Sequence, residues 1–195
     1  VLTHEIMNTV TPIASLSSAL SQNLDAYDTE DVRSALGTIS SSSEGLISFV
    51  QSYRSLTHIA APIRKAFYLR DLVNDSVTIA QANWPSARVS YHELSEDIIL
   101  YADYGQISQV MNNLIKNAVQ AGASDIDITA SIDKRERTVI NVANNGEPIS
   151  ETGREQIFVP FYTTKGVSGT GVGLSLCRQM IRMNGGIIKL TSSTP

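Results

Sequence analysis

Apolar residues recur at steps of three and four over two long stretches at the start of the chain, a periodicity typical of amphipathic helices. The first stretch covers residues 2–24 and contains Pro12, and the second covers residues 32–57. Residues 25–31 between them are turn formers and acidic residues, which favour a helix start. The apolar stripe of such a hairpin is too long to bury against itself, so the pattern predicts that two copies pair in a four-helix bundle.

The pattern changes after Pro62, where short β-like runs begin to alternate with helical segments. This alternation predicts an α+β domain over residues 62–195, following a helical domain over residues 1–61. The predicted strands cover residues 66–69, 88–92, 98–102, 126–132, 138–143 and 187–191, and the predicted helices cover residues 70–82, 104–121 and 172–183. Because the helical pattern is already under way at Val1 and the last strand ends near Pro195, we expect a fragment of a longer protein.

Composition excludes several classes of partner. The 195 residues carry a formal net charge of −4 without any dense run of Lys or Arg, which argues against nucleic acid and anionic membrane surfaces. No window approaches the roughly 18 apolar residues of a membrane span. The single cysteine, Cys177, lies among apolar helix positions, which favours a packed thiol and a reducing compartment.

A glycine-rich turn, from Gly169 to Leu174, leads directly into the last predicted helix. Glycines let the backbone approach an anion closely, and the first N–H groups of a helix have no internal partner, so the turn is a candidate phosphate cradle. The alternative is a flexible loop with a helix behind it. A P-loop is excluded because no Gly-Lys-Ser/Thr follows, and a dinucleotide fold fits poorly because no strand leads into the turn.

Neutral amides recur at helical steps along the predicted helix 104–121, on a different face from its apolar residues. They are Gln106, Asn113, Asn117 and Gln120. Asparagine is a poor interior helix former, so its repetition indicates a site, although a polar surface face remains the alternative. An Asn carbonyl oxygen is a ligand that Mg²⁺ accepts together with ATP phosphates and water.

Two further motifs lie between the amide helix and the glycine turn. Asn144-Asn145-Gly146 is a strong hairpin-turn signal, but the next residues indicate a loop and a helix start instead of a returning strand. Phe158 and Phe161 are placed to anchor a mobile loop, and Lys165 follows within reach of a bound phosphate.

These four motifs, in this order, resemble the N, G1, F and G2 boxes of the ATP-binding domain of sensor histidine kinases. The superfamily of that domain includes gyrase-type and chaperone-type ATPases. His4-Glu5-Ile6-Met7-Asn8 is similar to the phosphoacceptor box of the same family. The resemblance implies a helical hairpin in a dimeric four-helix bundle, followed by a Bergerat-type α/β sandwich.

The resemblance also implies roles for single residues. His4 would attack the γ-phosphate of ATP, Glu5 would take the proton from the other ring nitrogen, and Asn8 would position water when the partner is dephosphorylated. Asn117 would hold Mg²⁺, and Asn113 stands where hydrolytic relatives have a glutamate that activates water. The implied ATP-binding residues are Asn113, Asn117, Asn144, Gly146, Thr164, Lys165, Gly169, Thr170, Gly171, Gly173 and Leu174.

The implied partners are a second copy of the chain, through the hairpin, and the receiver domain of a response regulator, whose aspartate takes the phosphoryl group. We expect a cytoplasmic location, no nucleic acid, and membrane attachment only through segments outside this chain.

The chain departs from the family pattern at two places in the G1 box. Asn144 replaces the aspartate that accepts a hydrogen bond from adenine, and Pro148 replaces the second glycine. A neutral acceptor makes the weaker bond, so we expect weakened ATP binding. Two alternatives stay open: a phosphotransfer or phosphatase scaffold with a degenerate nucleotide domain, and a hydrolytic ATPase, against which Asn113 argues.

Overall fold

The computed structural model describes residues 2–23, 27–164 and 169–192. The chain divides into two compact units. The helical unit comprises Val1–His58 together with Phe161–Val172, and the sheet unit comprises Ile59–Pro160 together with Gly173–Pro195. One division falls near the expected boundary after residue 61, whereas segment 161–172 groups with the helices. The assignment of two sequential domains stays a prediction.

Two long helices form most of the helical unit, as the periodicity predicts. Helix α1 covers Leu2–Asn23, with Pro12 inside it, and helix α2 covers Thr29–Thr57. Asp28 caps α2, because its carboxylate accepts a hydrogen bond of 2.8 Å from the N–H of Asp31. No helix in the described stretches combines the length and the apolar character needed to cross a bilayer.

The described residues of the sheet unit form two small sheets and four helices. The elements are β1 (Lys65–Tyr68), α3 (Leu69–Asn83), β2 (Arg88–Glu93), β3 (Ile99–Ala102), α4 (Tyr104–Gln120), β4 (Asp125–Ile132), β5 (Thr138–Asn144), α5 (Glu151–Gln156) and α6 (Gly173–Met183). Strands β1 and β3 pair antiparallel, and the second sheet has the order β2-β4-β5, parallel between β2 and β4 and antiparallel between β4 and β5.

A single apolar core fills the sheet unit. Central strand β4 alternates in burial, and its inward residues Ile126, Ile128 and Ala130 are at most 1% exposed. Leu69 of α3 and Ile115 of α4 are fully buried in the same cluster. The mixed helix and sheet content confirms the predicted α+β class, and α4 is held between α3 and α6 with one face on this core.

The strand expected at residues 187–191 is wrong. The described part of this segment pairs with no other strand, and the side chain of Ile187 is 87% exposed. The run has the β-branched residues that strands favour, but a strand exists only where a neighbouring backbone accepts and donates its ladder of hydrogen bonds.

Candidate nucleotide-binding site

The amide-bearing face of α4 provides one wall of the candidate site. Asp103 caps the helix by accepting a hydrogen bond of 2.9 Å from the N–H of Gln106. Ile115 and Ala118 bury the opposite face, so Asn113 and Asn117 remain half-buried on the outer side. Within the described residues the Asn117 amide forms no hydrogen bond. Half-buried polar groups normally have a partner, so this amide is available to a ligand.

The first residue of α6 lies against Asn113. A β-carbon added at Gly173 would be 3.6 Å from Asn113 Oδ1, so the gap between the start of α6 and the amide of α4 is about the size of one methyl group. The first N–H groups of α6 have no partner inside the helix, and the helix dipole adds partial positive charge at that end. The structure therefore brings the amide helix and the last glycine of the turn together.

Cys177 packs one turn further along α6. Its side chain is fully buried, and the thiol donates to the carbonyl of Val110 with an S···O distance of 3.9 Å. Burial raises the thiol pKa to about 12, and a hydrogen bond with Asn113 opposes this with a smaller effect. The packed thiol expected from the sequence is confirmed.

The turn after β5 packs on the C-terminal end of α4. Gly146 has no room for a side chain, because a β-carbon there would lie 2.8 Å from the carbonyl oxygen of Ala121. The N–H of Glu147 donates to that same oxygen at 2.8 Å. Asn144 is exposed, and its Oδ1 accepts the N–H of Gly146 at 3.0 Å. The next element is α5, so the hairpin interpretation is wrong.

Asn145, which the sequence did not single out, fixes this turn to the sheet. Its Oδ1 accepts the backbone N–H groups of Ser124 and Asp125, both at 3.0 Å, and its Nδ2 donates to Ser124 Oγ at 3.0 Å. The double asparagine was visible in the sequence. Only the structure shows that Asn145 bonds to the sheet, whereas Asn144 bonds to Gly146 within the turn.

The remaining glycines of the turn belong to the helical unit. Gly171 has φ +62°, and a β-carbon there would lie 2.5 Å from the carbonyl carbon of Phe161, so only glycine fits. Gly169 and the exposed Thr164 and Thr170 lie in the same segment, and Lys165 lies outside the described residues. Leu174 is half-buried in the first turn of α6.

The two phenylalanines of this region anchor to different partners. The ring of Phe158 lies under the guanidinium of Arg178 in α6, at 5.6 Å. The ring of Phe161 contacts the ring of Phe49 in α2, with centroids 5.2 Å apart. The anchoring role expected of both residues is therefore visible in their contacts.

Gln106 does not belong with Asn113 and Asn117, although it shares their spacing. Its Nε2 donates to the carbonyl of Ala60 at 2.9 Å, and its Oε1 accepts from Asn184 Nδ2 at 2.8 Å. Gln106 stands in the first turn of α4, about two turns before Asn113. There it joins a structural network and is not a site residue.

Asp103 is the centre of that network. Its carboxylate accepts the N–H of Ile63 at 2.7 Å in addition to that of Gln106, and its own N–H donates to Asn184 Oδ1 at 2.8 Å. These bonds tie the segment before β1 to α4 and to the end of α6. Bonds to the carboxylate favour its ionised form, so the Asp103 pKa is lowered by the N–H of Gln106 first and that of Ile63 second.

His4, Glu5 and Asn8 all lie in α1, and His4 and Asn8 are one helical turn apart. Their side chains are outside the described part of the structure.

Comparison with known proteins decides the family. Residues 102–195 match the family model described as "Histidine kinase-, DNA gyrase B-, and HSP90-like ATPase". The nucleotide-free catalytic domain of histidine kinase ThkA is 34% identical, with a TM-score of 0.55, over 61% of this chain and 80% of that domain. The chain belongs to the histidine kinase family. The family predicted from the ordered motifs is thereby confirmed.

The likeness to other histidine kinases extends over the helical part. Sensor histidine kinase ZraS of Salmonella typhi is 26% identical over 193 residues, which cover 97% of this chain and 41% of ZraS. The crystal structure of histidine kinase ThkA in complex with response regulator protein TrrA matches with a TM-score of 0.66 and 26% identity, over 94% of this chain and 53% of that one. The chain therefore spans less than half the length of the curated relative.

Proposed function

We propose that this chain is the ATP-dependent phosphotransfer part of a sensor histidine kinase, which phosphorylates its own His4 and passes the phosphoryl group to a receiver-domain aspartate. The observation that carries the proposal is the approach of Gly173, at the start of α6, to Asn113 on the amide face of α4. The positive end of the α6 dipole and ligand-type amides then meet, as a triphosphate requires.

Binding of the triphosphate would use positive and dipolar groups from the glycine turn. The N–H groups of Gly169, Gly171 and Gly173 would donate to phosphate oxygens, with Thr164, Lys165 and Thr170 beside them. Asn113 carries no carboxylate, so it cannot take a proton from water. The γ-phosphate would therefore persist until the imidazole arrives, which favours the kinase over a hydrolytic ATPase.

Asn117 would supply the protein ligand for Mg²⁺. Among the described residues no group of three or more His, Cys, Asp or Glu side chains could hold a metal. One available amide oxygen nevertheless fits Mg²⁺, because this ion is usually held by few protein ligands together with phosphates and water. When bound, the ion neutralises charge on the phosphates.

At the helical unit, a ring nitrogen of His4 would form a bond to the γ-phosphorus while the bond to the bridging oxygen breaks and ADP leaves. Glu5 would accept the proton from the other ring nitrogen, and Asn8 would position the water that hydrolyses the aspartyl phosphate when the partner is dephosphorylated. Receiver-domain binding is proposed because ThkA was crystallised with a response regulator.

The chain would act as a homodimer through α1 and α2. Several large apolar side chains of α2 are exposed in the single chain: Leu36 (54%), Ile47 (58%), Val50 (53%) and Tyr53 (44%). A second hairpin covering them would complete a four-helix bundle.

Labelled ATP tests the proposal. The expected result is an acid-labile label on the wild-type chain that is absent from His4→Ala and from Asn117→Ala. Steady phosphate release that His4→Ala leaves unchanged would instead indicate a hydrolytic ATPase.

A second candidate is a phosphotransfer or phosphatase scaffold that no longer uses ATP, and Asn144 and Pro148 favour it. Absence of both label and ATP binding would support it. Asn144→Asp separates the two further: if the turn still binds adenine, the charged acceptor should tighten ATP binding about fivefold, since charged acceptors gain about 1 kcal/mol over neutral ones. Asn141→Asp, an exposed position on the same strand, is the matched control.

A further inference from the structure

Phe49 is a large aromatic residue beside the apolar seam of α2 instead of within it. The seam runs through Leu46, Val50 and Tyr53, and Phe49 flanks it. Val50 and Tyr53 are 53% and 44% exposed, whereas Phe49 is half-buried. Its neighbour is the ring of Phe161, 5.2 Å away and tilted by 33°. Both residues belong to the helical unit.

The backbone of Phe161 in turn packs against Gly171 of the glycine-rich turn. Its N–H donates to the carbonyl of Gly171 at 2.9 Å, and its Cα would lie 2.7 Å from a β-carbon at Gly171. Phe161 has φ +67°, a conformation that costs energy in a residue with a side chain and persists only when its surroundings hold it. The ring contact with Phe49 is one such support.

We propose that Phe49 is a positioning residue for the phosphate-binding segment and acts through Phe161. This inference rests on the proposed function and adds to it that α2, besides dimerising, sets the affinity for ATP. The contact with Phe49 fixes the Phe161 ring, and the backbone of Phe161 in turn fixes Gly171. The adjoining Gly169 and Thr170 are therefore ordered before the nucleotide arrives. Because these residues are already ordered, ATP binding loses less conformational entropy, so the affinity for ATP rises.

The test is Phe49→Ala in the full chain. An aromatic pair contributes enough to change an equilibrium about threefold to tenfold, so we expect the KM for ATP in autophosphorylation to rise by about that factor. Titration with a non-hydrolysable ATP analogue should show the same change in Kd. The rate at saturating ATP should change less than KM. A merely structural defect would reduce the active fraction and lower that rate with KM unchanged.

Controls isolate the ring contact. Gln51→Ala, an exposed position on the same helix, should leave KM unchanged, and Phe49→Leu should restore part of the affinity. In a double-mutant cycle, Phe49→Ala should add little to Phe161→Ala, because the two residues act as one unit. If Phe49→Ala does not fold, Phe49→Leu decides by the same criterion.

Three results would overturn the inference: a KM unchanged by Phe49→Ala, an equal effect of Gln51→Ala, or additive effects of the Phe49 and Phe161 substitutions. Failure of the proposed function is a different outcome, since the wild-type chain itself would then bind no ATP analogue.

Discussion

The helical unit and the sheet unit differ in how completely they bury their apolar residues. In the sheet unit, Leu69, Ile115 and Ile128 have no exposed surface. Across the described side chains of α1 and α2 none is buried to that degree, and Leu36 and Val50 are more than half exposed. Both units carry strong hydrophobic patterns, so pattern strength does not measure how much of a core one chain can complete.

The difference lies in what each apolar stripe meets. The stripe of α4 faces a sheet and two helices of the same chain, so its residues become inaccessible to water. The stripes of α1 and α2 meet only each other along most of their length, and a pair of helices covers only part of each. We propose that a second copy of the hairpin covers the rest.

The largest expected effect is on dimerisation. The double variant Leu36→Asp/Val50→Asp places charges where we propose that the second hairpin packs. Each lost apolar contact is worth about 1.5 kcal/mol or more, and the change occurs on both chains, so the dimer Kd should rise at least about a thousandfold. Analytical ultracentrifugation measures it.

Leu94→Asp/Ile99→Asp, at exposed apolar positions of the sheet unit, is the control and should stay dimeric. If the Leu36→Asp/Val50→Asp variant still dimerises, or if the wild-type chain is a monomer, a second hairpin does not cover the exposed residues of α2.

The next effect is on stability, and it compares the buried core of the sheet unit with the exposed apolar residues of the helical unit. Ile115→Ala should lower the free energy of unfolding of the sheet unit by about 2–5 kcal/mol, because it leaves a cavity in a fully buried position. Ile47→Ala, at a 58% exposed position, should cost less than about 0.5 kcal/mol when measured in the monomeric Leu36→Asp/Val50→Asp background. Urea unfolding followed by circular dichroism measures both. Equal costs at the two positions would contradict the difference between the units.

Two aspartate caps allow the same comparison on a smaller scale. Among the described residues, the Asp28 carboxylate accepts the N–H of Asp31, whereas the Asp103 carboxylate accepts the N–H groups of both Gln106 and Ile63. Asp28→Ala should cost about 0.5–1 kcal/mol and Asp103→Ala about 1–2 kcal/mol of unfolding free energy. Thermal unfolding of both variants measures the difference. A greater cost at Asp28 would show that the second bond of Asp103 adds nothing.

Most elements were predictable from the sequence because local pattern and tertiary packing agree. Helices α1, α2 and α4 and strands β1 to β5 fall within a few residues of their predicted positions. The strand predicted at residues 187–191 was wrong because β propensity does not supply a pairing partner. The bonds of Gln106 to Ala60 and Asn184 could not be predicted, because both partners are distant in sequence.

Within the candidate site, residue types were more predictable than roles. The amides and glycines were found from spacing and order, and the contact between Asn113 and Gly173 agrees with them. Asn145 and Phe49 were missed because their importance comes from residues about twenty and more than a hundred positions away in sequence, Ser124 and Phe161. No local pattern carries that information.

The smallest effect is on pH dependence. The folded-state pKa of Asp103 is lowered, so the stability it contributes is present above its unfolded pKa of about 3.9 and is lost as pH falls through the lower folded value. The variant Asp103→Asn should therefore be less stable than wild type at pH 6, with the gap narrowing below about pH 4. Urea midpoints at a series of pH values measure the gap. A gap that widens on acidification would contradict the sign.

The turn after β5 shows which positions of a family motif can be substituted without disturbing the backbone. Asn144 and Pro148, where the chain departs from the family pattern, are both exposed to solvent. Gly146, which keeps the pattern, has the backbone carbonyl oxygen of Ala121 only 2.8 Å from where any side chain would begin. We propose that substitution at the first two positions alters how strongly a ligand is held, whereas substitution at the third would force the backbone to shift. Among distant members of this family, the side chains at the positions of Asn144 and Pro148 should therefore vary more readily than the glycine at the position of Gly146.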